Sequence, residues 1–221
     1  MKNKKWLLLL ILFLPSTMWL ILETSTINSK KLPIYGPRKI IAANDTSYFK
    51  VNDQFYLLNQ IDSLPPILTK IEADAYPLYA VMFIKDEYKK NDLRLSGLWE
   101  FLNYKKQKIE HIPIVLVTAQ QNGKSEIEND LKKLSEGNKN VFFYTWNRSS
   151  FDSLNKTYFQ EKPIYIDYSF FVLVDVNRNI RGYYDGRYVA EIKRLIDEYQ
   201  HLRLKEEKNK LIKSNEIKSN S

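Results

Sequence analysis

From Tyr76 onward the chain alternates short apolar runs with amphipathic stretches. YPLYAVMFI, beginning at Tyr76, is almost wholly apolar and rich in β-formers, the pattern of a strand covered on both faces. LSGLWEFL follows with Leu95, Leu98 and Leu102 at intervals of three and four, a helical face that KKQK (105–108) leaves wet. IPIVLVT (112–118) predicts a second buried strand. NGKSEIENDLKKL then sets Ile127, Leu131 and Leu134 on one side of a helix with Glu126 and Glu128 in its first turn, where the dipole favours acids. NVFFYTW (140–146) predicts a third strand, and FDSLNKTYF a short helix or an irregular connection. SFFVLVD and IRGYYD, separated by VNRN, predict a hairpin. RYVAEIKRLIDEYQHLRL closes the series with an apolar stripe of Val189, Ile192, Leu195, Ile196, Tyr199 and Leu202.

Strand, helix, strand, helix, strand, connection, hairpin, helix is the order of an α/β domain of thioredoxin-like plan, with two crossovers into a sheet that ends antiparallel; a three-layer α/β domain of another topology would show similar periodicity. Ahead of it the signals are weaker. QFYLLNQ (54–60) predicts a strand, whereas Pro65 and Pro66 forbid a central strand in SLPPILTK. Between 39 and 53 turn formers such as Asn44, Asp45, Asn52 and Asp53 mix with short apolar pieces and define no element.

The first residues have a different pattern. Lys2, Lys4 and Lys5 precede an apolar run from Trp6 to Leu22, broken only by Pro15, Ser16 and Thr17 and just long enough for a short membrane span. The expectation is one N-terminal transmembrane helix: an anchor at 1–23 that touches the membrane through residues 6–22. The lysines keep the N-terminus cytoplasmic, so the rest of the chain lies outside the cell membrane, on the periplasmic side in a bacterium. A cleaved signal peptide and a buried helix of a soluble domain are the alternatives. A linker follows at 24–38, stiffened by Pro33 and Pro37 around Gly36, then the domain at 39–202. A charged, flexible tail at 203–221 extends the last helix briefly before fraying.

Composition removes several chemistries. The chain contains no cysteine, so it has no disulfide, thiolate copper site or cysteine nucleophile. The formal charge of +8 lies largely at the two ends, with Lys2, Lys4 and Lys5 at one and Arg203, Lys205, Lys208, Lys210, Lys213 and Lys218 at the other. The middle is only mildly basic, its cations interspersed with acids, and predicts no nucleic-acid partner. His111 and His201 have no metal-ligand spacing around them, no G-x-S-x-G is present, and the six glycines are scattered rather than gathered into a phosphate loop. Gly182 and Gly186 are expected at backbone positions of positive φ. Asp86, Glu87 and Asp92, interleaved with Lys85, Lys89 and Lys90, form a solvated loop and not a hard-cation site. Asn44, Asn147 and Asn155 begin N-x-S/T triplets, which matter only in a glycosylating compartment. Tyr183 and Tyr184 alternate on the second hairpin strand, one inward and one outward, among fifteen tyrosines that build an aromatic core or supply an interface anchor.

Three segments carry a family resemblance: KLPIYGP (31–37), FYLLNQID (55–62) and YIDYSFFVLVDVNRNIRGYYDG (165–186). Together they resemble the SCO/SenC family, membrane-anchored thioredoxin-fold proteins associated with copper delivery to cytochrome oxidase. That family uses a C-x-x-x-C pair after the first core strand and a distal histidine before the final hairpin. In this chain IKDEYKKNDL (84–93) has no cysteine, and Asp167, Tyr168 and Ser169 align with the family's Asp-His-Ser, putting tyrosine at the histidine position. The resemblance thus implies a degenerate member with no catalytic, cofactor-binding or metal-ligating residue and no cofactor. Its implied role is non-catalytic binding or assembly beside a membrane-protein partner, in respiratory-complex biogenesis. The alternative is an enzyme or metallochaperone on the same fold, using an unrecognised or partner-supplied site. The expected partner surface is the edge matching the family's metal face: the loop 85–93 with Lys89, the stretch around Tyr168, and the hairpin end at Asn177 to Asn179.

Overall fold

The computed structural model describes Phe13 and residues 17–19, 32–42, 45–51, 78–85, 94–119 and 126–219. The chain divides into two units, Met1–Leu32 and Pro33–Ser221.

In the first unit, Phe13, Met18 and Trp19 are exposed, and the Thr17 hydroxyl donates to the Phe13 carbonyl at 2.9 Å, a one-turn helical bond. The expected membrane anchor is corrected here. Among the described residues no helix is long and apolar enough to cross a membrane. Most of the run 6–22 lies outside those residues, as do Trp6, the lysines before it and the expected strand at 54–60. The single-pass topology, the membrane contact through 6–22 and the placement beyond the cell membrane fall with the anchor.

The second unit holds two sheets. β1 (Arg38–Ala42) and β2 (Asp45–Tyr48) form an antiparallel pair with a bulge between Ile40 and Ala42. The main sheet contains β3 (Tyr79–Ile84), β4 (Ile114–Ala119), β5 (Val141–Trp146), β6 (Phe171–Val174) and β7 (Ile180–Tyr184). Their order is β5-β4-β3-β6-β7, with β3, β4 and β5 parallel and β6 and β7 antiparallel to their neighbours. The helices are α1 (Ser96–Tyr104), α2 (Lys106–Ile109), α3 (Glu126–Gly137), α4 (Arg148–Tyr158) and α5 (Val189–Ser219). Parallel strands joined by helical crossovers, then an antiparallel hairpin and a closing helix, make an α/β sheet of thioredoxin-like topology.

Every residue of β3 and β4 is buried, as continuous apolar runs require in the middle of a sheet covered on both faces. One face carries Val81, Phe83, Val115 and Val117, packed under α4 with Phe151, Leu154, Tyr158 and Phe159. The alternate residues, among them Met82, Ile84 and Leu116, point the other way, toward the side of α1 and α5. The Tyr79 and Tyr158 hydroxyls meet at 2.7 Å inside the first face. Inside the second, Tyr184 donates to the Glu198 carboxylate at 2.6 Å. Both pairs let aromatic area be buried without stranding a hydroxyl.

Local sequence explains the junctions. Asn147 caps α4, its side chain accepting from the Ser150 N–H at 2.8 Å; this is the asparagine of one N-x-S/T triplet, and it gives the connection after β5 a helical start. Gly186 is required by space and not by positive φ: a Cβ there would collide with the Arg94 carbonyl and the Phe171 ring. Gly97 approaches the same loop, with its N–H bonded to the Gly186 carbonyl at 2.9 Å, so the start of α1 sits directly on the exit from β7. Positive φ occurs instead at Gly36, Arg94, Glu161 and Arg178. α5 continues past Leu202 as helix to Ser219, through the stretch expected to fray, with Arg203, Leu204 and Leu211 exposed.

Candidate functional site: the edge at the end of β3

β6 runs antiparallel to β3, with Tyr79 opposite Val174 and Val81 opposite Val172. Continued along both strands, this register brings the residues just before β6 beside the end of β3. Tyr168 accordingly meets Lys85, whose ammonium lies 4.8 Å from the ring centroid. The Lys162 ammonium is 4.7 Å from the same centroid, and the Phe159 ring packs at 5.5 Å with a 52° tilt. The Tyr168 backbone is fixed from α4, where the Asn155 amide donates to its carbonyl at 3.0 Å. The side chain is 42% exposed, a ring supported from below and attended by two cations.

Its neighbours hold the segment rigid. The Asp167 carboxylate accepts from the Ser169 N–H (3.0 Å), the Ser169 hydroxyl (2.9 Å) and the Arg94 guanidinium (2.7 Å). Arg94 also donates to the Ser169 hydroxyl at 3.0 Å. Burial pushes the Asp167 carboxyl upward, but these hydrogen bonds from Arg94 and Ser169 outweigh it and leave the group below its ordinary value. Arg94 makes this bridge from a left-handed backbone at φ 53°, a conformation that a non-glycine residue adopts at some cost.

Upstream, the Ile166 N–H closes a turn onto the Pro163 carbonyl at 3.0 Å, which places Ile164 and Tyr165 at the tip. Ile164 is 100% exposed and Tyr165 77% exposed, whereas Ile166, next in the chain, is buried. Sequence reasoning missed this pair. The available signal was KPIYI, two large apolar residues placed after a proline where turn tips ordinarily carry polar ones.

The expected surface residues do not all converge. Tyr168 stands at the end of β3, and Asn177 stands beyond the other end of β6, in the turn before β7, so a full strand length separates them. Asn177 instead faces the β1–β2 hairpin. Lys89 lies outside the described residues, as do its loop neighbours from 86 to 93. His111 belongs to neither place: its ring packs 5.7 Å from Tyr199 on α5, and burial followed by the Arg203 charge lowers its pKa. Among the described residues no group of three or more His, Cys, Asp or Glu could hold a metal ion.

No family model matches the chain, and no curated protein matches it. Two solved structures are similar. A thiol:disulfide interchange protein from Bacteroides sp. has 15% identity and a TM-score of 0.34, over 54% of this chain and 73% of that one. The thioredoxin domain of a thiol-disulfide oxidoreductase from Bacteroides vulgatus has 16% identity and a TM-score of 0.32, over 54% of this chain and 79% of that one. The fold class rests on strand order and pairing and not on these distant likenesses. The resemblance to the SCO/SenC family is overturned, because the membrane-spanning helix it requires is absent among the described residues and no family model supports it. The implied part in respiratory-complex biogenesis goes with it.

Proposed function

We propose that this thioredoxin-like domain is a thiol-independent binding module that takes an acidic, partly apolar segment of a partner protein along the edge at the end of β3. One observation carries the reading: Ile164 and Tyr165 stand exposed at the tip of a turn whose two flanks are pinned. Ile166 is buried on one flank and leads into the Arg94–Asp167 bridge, while Phe159 anchors the other in the core. An apolar pair that the fold itself does not cover, on a support that cannot swing away, is a preorganised contact surface. Fully covering Ile164 contributes about 1.5–3 kcal/mol before the costs of association are met. Lys85 and Lys162, both beside Tyr168, set the charge preference of the partner.

A displayed library of random linear peptides tests the proposal. It is selected on the wild-type protein and counter-selected on an Ile164→Ser/Tyr165→Ser variant shown by circular dichroism to be folded. The expected survivors combine Asp or Glu with an aromatic or aliphatic residue and lose binding to the variant. Survivors that bind both proteins equally, or that show no acidic preference, would contradict it.

A further inference from the structure

A second feature lies at the other end of the sheet. The turn between β6 and β7 is organised by Asp175, whose carboxylate accepts from the backbone N–H groups of Asn177 and Asn179, both at 2.9 Å, and from the Asn179 amide. The β1–β2 hairpin is fastened across this turn at its base. The Val51 N–H bonds to the Arg178 carbonyl at 3.0 Å and the Tyr35 N–H to the Ile180 carbonyl at 2.9 Å, while the Phe49 N–H closes the hairpin's own base onto the Pro37 carbonyl at 3.0 Å. Between hairpin and turn the backbone leaves an open groove of about 400 Å³.

Ile34, Ile41 and Tyr48 supply its apolar wall. Asp45, Thr46, Ser47, Lys50 and Asn177 supply its polar groups, and within the described residues none of these five side chains is committed to an internal hydrogen bond or ion pair. A concave surface with an apolar wall and a few convergent polar groups is the usual form of a small-ligand site. Their chemistry restricts the ligand. One carboxylate and one ammonium line the groove together, so its charge favours neither an anion such as phosphate nor a cation. Two hydroxyls and an amide both donate and accept, so they suit a ligand that does the same at several closely spaced atoms. The Arg38 guanidinium lies 5.8 Å from the centroid of the Tyr48 ring and takes one of its faces; the other face, with the isoleucine flank, suits a ligand with a dry C–H face. A pyranose ring presents both surfaces, and the groove has room for one or two such rings. We infer that the groove between the β1–β2 hairpin and the Asp175–Asn179 turn binds a neutral saccharide.

Asn177→Ala removes only the free amide, because the turn uses the Asn177 backbone N–H; Tyr48→Ala removes the ring wall. The experiment follows the side-chain amide signals of Asn177 and Asn179 by NMR while glucose, N-acetylglucosamine, cellobiose or chitobiose is added to the full chain. At least one saccharide is expected to shift these signals saturably, and each variant to weaken its binding about tenfold, the loss of one or two good contacts. Ile164→Ser, at the opposite end of the sheet, is expected to leave the affinity unchanged. The inference is overturned if no saccharide moves the signals, if the shifts map elsewhere, or if both variants bind as the wild type does. An extended peptide that shifts the signals where saccharides do not would also overturn it.

Discussion

Replacing Asp175 with alanine is expected to be among the more damaging single changes in the domain. Its carboxylate is 7% exposed and its ion-pair partner, the Arg181 guanidinium at 3.1 Å, is 11% exposed. The same carboxylate receives two backbone N–H groups and the Asn179 amide. Removing one member of a buried pair costs about 3–5 kcal/mol, chiefly because the other charge stays desolvated. Asn177 is exposed, so water replaces part of what its N–H loses, and the lower end of that range, about 3 kcal/mol, is expected. With a urea slope of about 2 kcal/mol/M, the unfolding midpoint falls by about 1.5 M. Equilibrium urea unfolding followed by tyrosine and tryptophan fluorescence measures it. Arg181→Met in the same chain should recover part of the loss, since it removes the charge left behind. A loss below about 1 kcal/mol for Asp175→Ala, the range of a surface pair, would refute the burial reasoning.

Two predictions concern pH. The Asp167 carboxyl titrates lower in the folded state than its ordinary value, so the stability it adds is fully present above about pH 4 and is lost as pH falls through the folded pKa. Asp167→Asn should therefore narrow its stability gap to the wild type as urea unfolding is repeated at successively more acidic pH, and a gap independent of pH would contradict the hydrogen-bond assignment. For His111 the folded pKa is lowered by burial and by Arg203, so the unfolded chain takes up its proton first, and stability declines as pH drops below about 6.5. An NMR titration should place His111 below the usual histidine value, and Arg203→Gln should raise it; a wild-type value at or above the usual one would refute this.

Much of the main sheet was legible because burial wrote itself into the pattern. The fully apolar runs of β3 and β4 mark buried strands and the three-four spacing of Leu95, Leu98 and Leu102 marks a helix, although the strand order had to come from the pairing itself. The hairpin of β1 and β2 was not legible, since every position of Arg38–Ala42 is exposed and no face is selected by the core. Gly186 misled because a glycine after aspartate ordinarily signals positive φ, whereas here tertiary contact with Arg94 and Phe171 excludes a side chain. The same division holds at the edge. Tyr168 could be placed from antiparallel pairing alone, but grouping it with Asn177 overlooked that β6 itself separates the residues before it from those after it. Ile164 and Tyr165 carry no periodicity, and only the geometry of their turn exposes them.

The most direct test of the partner-binding edge is site-specific photocrosslinking in the cells that naturally make the protein. A benzophenone amino acid is placed at position 165, or at position 177 as a control, with and without Lys162→Glu. Adducts at 165 that are absent at 177 and disappear with Lys162→Glu are the predicted result. No adduct at 165, or the same adducts from both positions and undiminished by the charge reversal, would contradict the account.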